Sequence, residues 1–246
     1  MANAQCCSSG SVRRRAEPFG DKIVWWVSVC SILEENMIKD MPRNRIQKVP
    51  SLLRRLYYRA AYPHYREGAK IRGLMSDNEL FAMISLVRTL PDNATILEIG
   101  AFFGRSTYFI ENAIGHRTLR HIVVDTFKPE CDGMSGQSIR SSFESNLASF
   151  LPRLTIWQMD SMGLSKRLDE ENTNISFALI DGDHSYLAVK SDTEAVMKHM
   201  PMHGKLCFHD FMNPCGVMRL VGEYVEKRMI EPEFVATSML VARKIG

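Results

Sequence analysis

Two apolar runs in the second half of the chain end in polar clusters. Ile175–Ile180 leads into Asp181-Gly182-Asp183-His184-Ser185-Tyr186, and Lys205–Phe208 leads into His209-Asp210. An imidazole titrating near neutrality can take a proton from a hydroxyl. A carboxylate can hold a cation that acidifies the same hydroxyl. No denser group of chemically able side chains occurs in the chain.

An earlier segment has the residues of a ligand loop. The run Thr95–Ile99 ends in Glu98-Ile99-Gly100-Ala101-Phe102-Phe103-Gly104-Arg105-Ser106-Thr107. A strand that turns sharply into a helix needs backbone conformations that glycine alone adopts freely, and a bare backbone lets a ligand come close. The spacing is Glu-x-Gly-x-x-x-Gly. It is not the Gly-x-Gly-x-x-Gly that places pyrophosphate on a helix amino terminus, which disfavours a nicotinamide oxidoreductase. Asp125 closes the next apolar run, His121–Val124, in register with the glycine loop. A carboxylate there can accept both hydroxyls of a ribose; the plain alternative is a turn former. Asp160-Ser161 closes a third run, Leu154–Gln158, where Trp157 and Met159 would pack either on a base or in the core.

The elements that position these groups follow from periodicity. Ser76-x-x-Glu79 is a capping-box pattern ahead of Leu80, Phe81, Ile84 and Val87, and predicts a helix ending near Leu90. Strands are then expected at 95–99, 121–124, 154–158, 175–180 and 205–208. Helices are expected at 105–114, 138–150, 186–200 and 216–229. A closing hairpin is expected from 234–237 and 239–243. Alternation of this kind is the mark of an α/β fold. The expected architecture is a Rossmann-like, doubly wound, mostly parallel seven-stranded sheet with an antiparallel C-terminal hairpin strand, plus N-terminal helices. In such a sheet every polar cluster above lies at the carboxyl edge, where ligands bind.

Glu98-x-Gly100-x-x-x-Gly104 resembles motif I of class I methyltransferases. From about Gly73 onward the chain is similar to a bacterial small-molecule O-methyltransferase family related to macrocin O-methyltransferase and cephalosporin hydroxylase-type proteins, and more distantly to catechol O-methyltransferase. The stretches that carry the likeness are Ile96–Thr107, Val124–Phe127, Asp160-Ser161, Phe177–Tyr186 and Phe208–Asp210. The resemblance implies S-adenosyl-L-methionine as cofactor and O-methylation of a hydroxyl on a small molecule, a sugar or secondary metabolite. It implies that Glu98, Gly100, Gly104 and Ser106 line the methionine part of the donor, that Asp125 binds its ribose, and that Asp160 and Ser161 flank its adenine. Asp181 would touch the donor and the acceptor site, His184 would be the base, and Asp181 with Asp210 would hold Mg2+ or another divalent cation. His209 departs from the acidic pair of metal-dependent relatives. Because magnesium prefers oxygen ligands, the set points as well to a softer metal, or to none. His184 has the alternative of hydrogen-bonding the loop or the donor's carboxylate.

Whole-chain properties bound the rest. Residues 1–72 hold 14 Lys+Arg against 6 Asp+Glu, whereas the remainder holds 17 against 22. The acidic main part argues against a nucleic-acid groove there. N-methylation of nucleic acid or protein is the alternative kept for the basic extension, and a non-catalytic donor-binding protein is another. The expected organisation is a disordered tail over 1–20, a basic helical extension over 21–72 with an amphipathic helix opening at Ser51, and the S-adenosylmethionine-binding domain over 73–246. The longest early apolar run, Ile23–Leu33, falls short of the ~20 residues a spanning helix needs. It also lacks a signal-peptide cleavage pattern. The six cysteines form no Cys-x-x-Cys pair, which suggests a reducing cytoplasm. A homodimer is common among relatives. The acceptor pocket is expected from the N-terminal helices and the loop 128–137.

Overall fold

Strand β1 (Thr95–Ile99) is buried along its whole length, as is β4 (Phe177–Ile180) beside it. Strands covered on both faces lie at the centre of a doubly wound sheet. The structure, a computed structural model, describes residue 60 and residues 62–128, 136–212 and 216–246. The tail over 1–20, the helix opening at Ser51 and most of the loop 128–137 lie outside the described residues.

Among the described residues a short helix α1 (Tyr65–Gly68) and α2 (Asp77–Thr89) precede the sheet. The chain then alternates through β1, α3 (Arg105–Ile114), β2 (Arg120–Asp125), α4 (Gly136–Asn146), β3 (Leu154–Gln158), α5 (Leu164–Glu170) and β4. It finishes with α6 (Tyr186–Lys198), β5 (Lys205–Phe208), α7 (Val217–Glu226), β6 (Ile230–Ala236) and β7 (Met239–Lys244). The strand order is β3-β2-β1-β4-β5-β7-β6. Pairings from β3 across to β5 are parallel, and β7 lies antiparallel to both β5 and β6. The expected seven-stranded architecture with its C-terminal hairpin is the observed one.

Side-chain alternation sorts the core into layers. Leu97, Ile99, Ile122 and Val124 face α5, α6 and α7. Ile96, Phe177, Leu179 and Cys207 face α2 and α3. Val123 packs with Phe127 and with Ile139, Phe143 and Leu147 of the α4 region. Tyr65 and Ile71 also pack into these layers, so the segment just before Gly73 is part of the domain's packing.

Several element ends differ from the sequence expectation, each for a local reason. Helix α4 stops at Asn146 rather than Phe150, ahead of the 3-10 turn that contains Pro152. Helix α6 stops at Lys198, ahead of Pro201, because the residue before a proline disfavours helix. Helix α7 ends at Glu226 because Arg228 adopts a left-handed conformation, with φ 54°. The amides of Met229 and Arg228 then bond back to Tyr224 and Val225, closing a Schellman-type turn. Strand β6 begins at Ile230, four residues earlier than expected, with Pro232 at a register shift on the sheet edge. Proline is tolerated there and nowhere deeper in a sheet. Helix α5 was not expected at all; its two anchors, Leu168 and Leu164, are too few to show a period.

One buried polar chain crosses the layer between β1, β2 and α3. The Glu98 carboxylate is wholly buried and accepts from the hydroxyls of Ser106 and Thr107. His121 Nε2 lies 3.3 Å from Glu98 Oε2, and its Nδ1 lies 2.8 Å from Glu111 Oε1. Arg153 pairs with Glu111 and donates to the carbonyl of Gly115 at 2.6 Å. Burial alone would push the His121 imidazole down, but the flanking Glu111 and Glu98 outweigh it and raise it to about 9.

A folded-state value above the unfolded 6.5 means the stabilisation is complete below pH 6.5 and is lost as pH rises towards 9. The shift corresponds to on the order of 3 kcal/mol. The stability gap between the wild type and His121→Gln is therefore expected to narrow from pH 6 to pH 9.5 in urea unfolding. A gap that stays constant would show that His121 is neutral in the folded protein.

Candidate active site

The glycine loop is built around one carboxylate. Asp125 Oδ2 accepts the amides of Ala101 at 2.7 Å and Phe102 at 2.8 Å, and Oδ1 accepts the amide of Phe127 at 2.6 Å. Phe102 has φ 51°, so its amide and its neighbour's turn toward the same point. Paired amides of this kind form a concavity for an anion. Asp125 fills it from within the chain, which removes the feature that a pyrophosphate would need. A carboxylate offers about four acceptor positions, of which these amides take three.

Gly100 has φ 86°, and a β-carbon there would fall 2.1 Å from the carbonyl oxygen of Asp181. The glycine therefore lets the ends of β1 and β4 close on one another. Gly104, at φ 85°, turns the chain into α3 above Leu147 and Phe143. Glu98 and Ser106 lie beneath the loop, bonded to each other and buried. They support the loop from the core side.

Asp160 caps the 3-10 turn Ser161–Gly163 by accepting the Met162 amide at 3.0 Å. Trp157 and Met159 pack in the core, against the layer of α5 to α7. Behind the turn sits Asp192 of α6, fully buried. Burial raises its carboxyl to about 6, the nearby Asp160 and Asp183 add to this, and the Ser161 hydroxyl partly opposes it. Asp192 interrupts the stripe Val189, Val196 that faces the core. A lone acid on an apolar helical face was the signal that could have revealed it.

The ends of β4 and β5 bring the second cluster together. His184 Nε2 is 3.5 Å from Asp181 Oδ1, and its Nδ1 is 3.4 Å from Asp210 Oδ2. His209 Nδ1 is 2.8 Å from Asp181 Oδ1 and 3.7 Å from Asp210 Oδ2. The contacts are those of ion pairs rather than of in-line hydrogen bonds, since both nitrogens of His209 and Nε2 of His184 have no hydrogen-bond partner. His184 is partly exposed and His209 is buried. Contact with Asp181 raises the His184 imidazole above its ordinary value, against the effect of burial. Burial would lower His209, but Asp181 and Glu79 carry it up to about 10.

Sequence reading passed over Glu79, whose role in the helix cap accounts for its spacing. It is buried, and its Oε2 lies 3.7 Å from His209 Nε2. Burial would raise its carboxyl, but His209 and the Ser238 and Ser76 donors bring it down to about 2.

Asp181, His184 and His209 each offer a ligand atom within 4.8 Å of one another. Two imidazoles and a carboxylate are not the oxygen-rich set that magnesium favours. His209, moreover, faces a carboxylate on each side, an arrangement that favours the protonated ring over a metal-ligating lone pair.

Two substitutions test the loop. Asp125→Ala strands three amides and is expected to cost about 2 kcal/mol in unfolding experiments, with donor affinity at least tenfold weaker by calorimetry. Asp192→Asn removes a buried acid whose ionisation opposes folding, and is expected to raise the unfolding midpoint at pH 8 but not at pH 4.

Comparison with known proteins agrees with this geometry. Residues 97–211 match the sequence model of a methyltransferase domain. No curated protein is significantly similar in sequence. An O-methyltransferase from Bacillus cereus in complex with SAH has a TM-score of 0.57 at 15% identity, covering 91% of this chain and 100% of its own. The O-methyltransferase TomG from Streptomyces achromogenes, involved in tomaymycin synthesis and in complex with SAM, has a TM-score of 0.55 at 15% identity, covering 91% of this chain and 98% of its own. The calicheamicin methyltransferase CalS11 has a TM-score of 0.52 at 14% identity, covering 96% and 99%. At these identities the likeness is one of fold. Residues 97–211 thus carry the sequence pattern of a methyltransferase domain, on a fold similar to that of these O-methyltransferases.

Proposed function

We propose that this chain transfers the methyl group of S-adenosylmethionine to a hydroxyl of a small molecule. The observation that carries the reading is the placement of the Asp125-held glycine loop beside the Asp181, His184 and Asp210 cluster, on adjoining strand ends of one sheet. The O-methyltransferases of the same fold support it.

The donor's methionine end would lie over the backbone from Gly100 to Gly104, with Glu98 and Ser106 shaping that backbone from below. Asp125 has about one acceptor position left for a ribose hydroxyl. Asp160 and Ser161 would border the adenine. Methyl transfer from a sulfonium is an in-line displacement: the acceptor oxygen forms the new bond to carbon as the carbon–sulfur bond breaks. The hydroxyl proton must leave, and His184 Nε2 or Nδ1 would take it. Asp181 and Asp210 steady the imidazolium that results. Holding the two reactants in line supplies much of the remaining acceleration. The set Asp181, His184 and His209 is not the oxygen-rich one that magnesium favours, so no step is assigned to that ion. No helix among the described residues is long and apolar enough to cross a membrane.

The test starts with mass spectrometry of the purified protein for a co-purifying nucleoside. A panel of phenols and sugars is then screened for S-adenosylhomocysteine formation, with magnesium and with chelator. Turnover is expected in both conditions. His184→Ala is expected to lower kcat by about 100-fold or more, with donor affinity within threefold of wild type. Unchanged turnover in His184→Ala would remove it as the base, and absence of donor binding in the wild type would sink the whole reading.

A further inference from the structure

Glu79 stands in α2, outside every stretch that carries the resemblance, and a helix cap explains only one of its contacts. Its Oε2 accepts the Ser76 amide at 2.6 Å. Its Oε1 accepts both the amide and the hydroxyl of Ser238, at 2.8 and 2.6 Å, from the turn between β6 and β7. Its side chain is only 2% exposed, and the His209 ring beside it 4%. A glutamate needed only for capping can do that work at the solvent surface. Sinking its charge has a cost that calls for buried partners.

Those partners lead to the reaction site by two routes. Through His209, Glu79 faces Asp181: Nε2 lies 3.7 Å from Glu79 Oε2, and Nδ1 lies 2.8 Å from Asp181 Oδ1. Through Ser238, whose carbonyl accepts the Phe211 amide at 2.7 Å, Glu79 holds the other end of the 209–211 segment. Between these two anchors Asp210 adopts φ 47°. A non-glycine residue keeps that conformation only where its surroundings impose it. The turn aims the Asp210 carboxylate at His184 Nδ1, 3.4 Å away.

We propose that Glu79 is a positioning residue of the reaction site, acting through His209 and Ser238 to set the orientation of Asp181 and Asp210 around His184. What the site does rests on the methyl-transfer reading; the geometry does not. A carboxylate behind an imidazole fixes the ring's orientation and which nitrogens carry protons. Here each ring nitrogen of His209 faces a carboxylate, so the ring is held between Glu79 and Asp181. Asp181 is thereby held to one position instead of swinging toward solvent, and Asp210 is kept in its strained turn. Glu79 and Ser238 contribute no reacting group and act on the site only through these contacts.

The experiment compares Glu79→Gln, Glu79→Asp and Ser76→Ala in the full chain. Ser76→Ala is the control for losing the helix cap. Three quantities are read: donor affinity by calorimetry with S-adenosylmethionine, kcat and KM with the best acceptor of the phenol and sugar panel, and the ring nitrogen signals of His209 by NMR with labelled histidine. Glu79→Gln is expected to lower kcat at least tenfold, leave donor affinity within threefold and displace the His209 ring signals. Glu79→Asp is expected to restore part of both, because it keeps the charge. Ser76→Ala is expected to lower the melting temperature while leaving kcat and the His209 signals as in wild type. In a His209→Asn background, Glu79→Gln is expected to add less to the loss of kcat than it does alone. Unmoved His209 signals in Glu79→Gln would overturn the inference, as would a loss of kcat in Ser76→Ala equal to that in Glu79→Gln. Should Glu79→Gln fail to fold, the Glu79→Asp signals decide: unmoved His209 resonances with unchanged kcat overturn it, and displaced ones with lowered kcat support it. If the wild type binds no donor, the methyl-transfer reading fails, while the ring signals still decide whether Glu79 positions His209.

Discussion

The carboxylate of Asp125 is the interaction on which the ligand-binding edge depends. Two amides of the turn after β1 and one amide after β2 converge on it. Without an acceptor these donors would be left unpaired in a partly buried loop, at a cost comparable to a substantial part of a domain's net stability. By supplying the acceptor from the neighbouring strand, the chain locks the first two strand ends together. It also fills with its own side chain the anion concavity that a dinucleotide fold keeps for phosphate. A concavity filled in this way does not suit a pyrophosphate.

The same logic of internal pairing runs through the protein's other polar features. Glu98, His121 and Glu111 form a buried series beneath the loop, with the exposed Arg153 at its outer end. Glu79, His209, Asp181, His184 and Asp210 form another at the edge of β4 and β5. In each series a histidine stands between two carboxylates. A buried charge is tolerable when it is paired, and removing one member leaves the others uncompensated.

Asp192 breaks this pattern, being a wholly buried carboxyl with no cation beside it among the described residues and only the Ser161 hydroxyl to oppose the effect of burial. Its neighbours Asp160 and Asp183 add repulsion to desolvation. It sits behind the turn proposed to border the adenine. Asp192 and Glu79 show that charged residues on otherwise apolar or already explained helix positions are where a sequence reading gains most from the structure.

Local order was legible in the sequence wherever a period or a cap was strong. The strands at 95–99, 154–158 and 205–208 and the helix at 105–114 have the expected bounds, because runs of apolar residues bounded by glycine and polar turns leave few alternatives. That Asp125, Asp160, Asp181 and His209-Asp210 stand at strand ends also followed from the run of the chain, since alternating strands and helices place all such ends on one edge. What tertiary structure alone decided was which partner each polar group takes. Sequence spacing offers Glu79 as a cap, Glu98 as part of a glycine motif and Asp125 as either a ribose acceptor or a turn former. Only the packed chain shows Glu79 against His209, Glu98 turned inward to Ser106, and Asp125 already holding three amides. The physical reason is that deciding partners lie far apart along the chain, 24 residues for Asp125 and Ala101 and 159 for Glu79 and Ser238, and no local periodicity carries information over such distances.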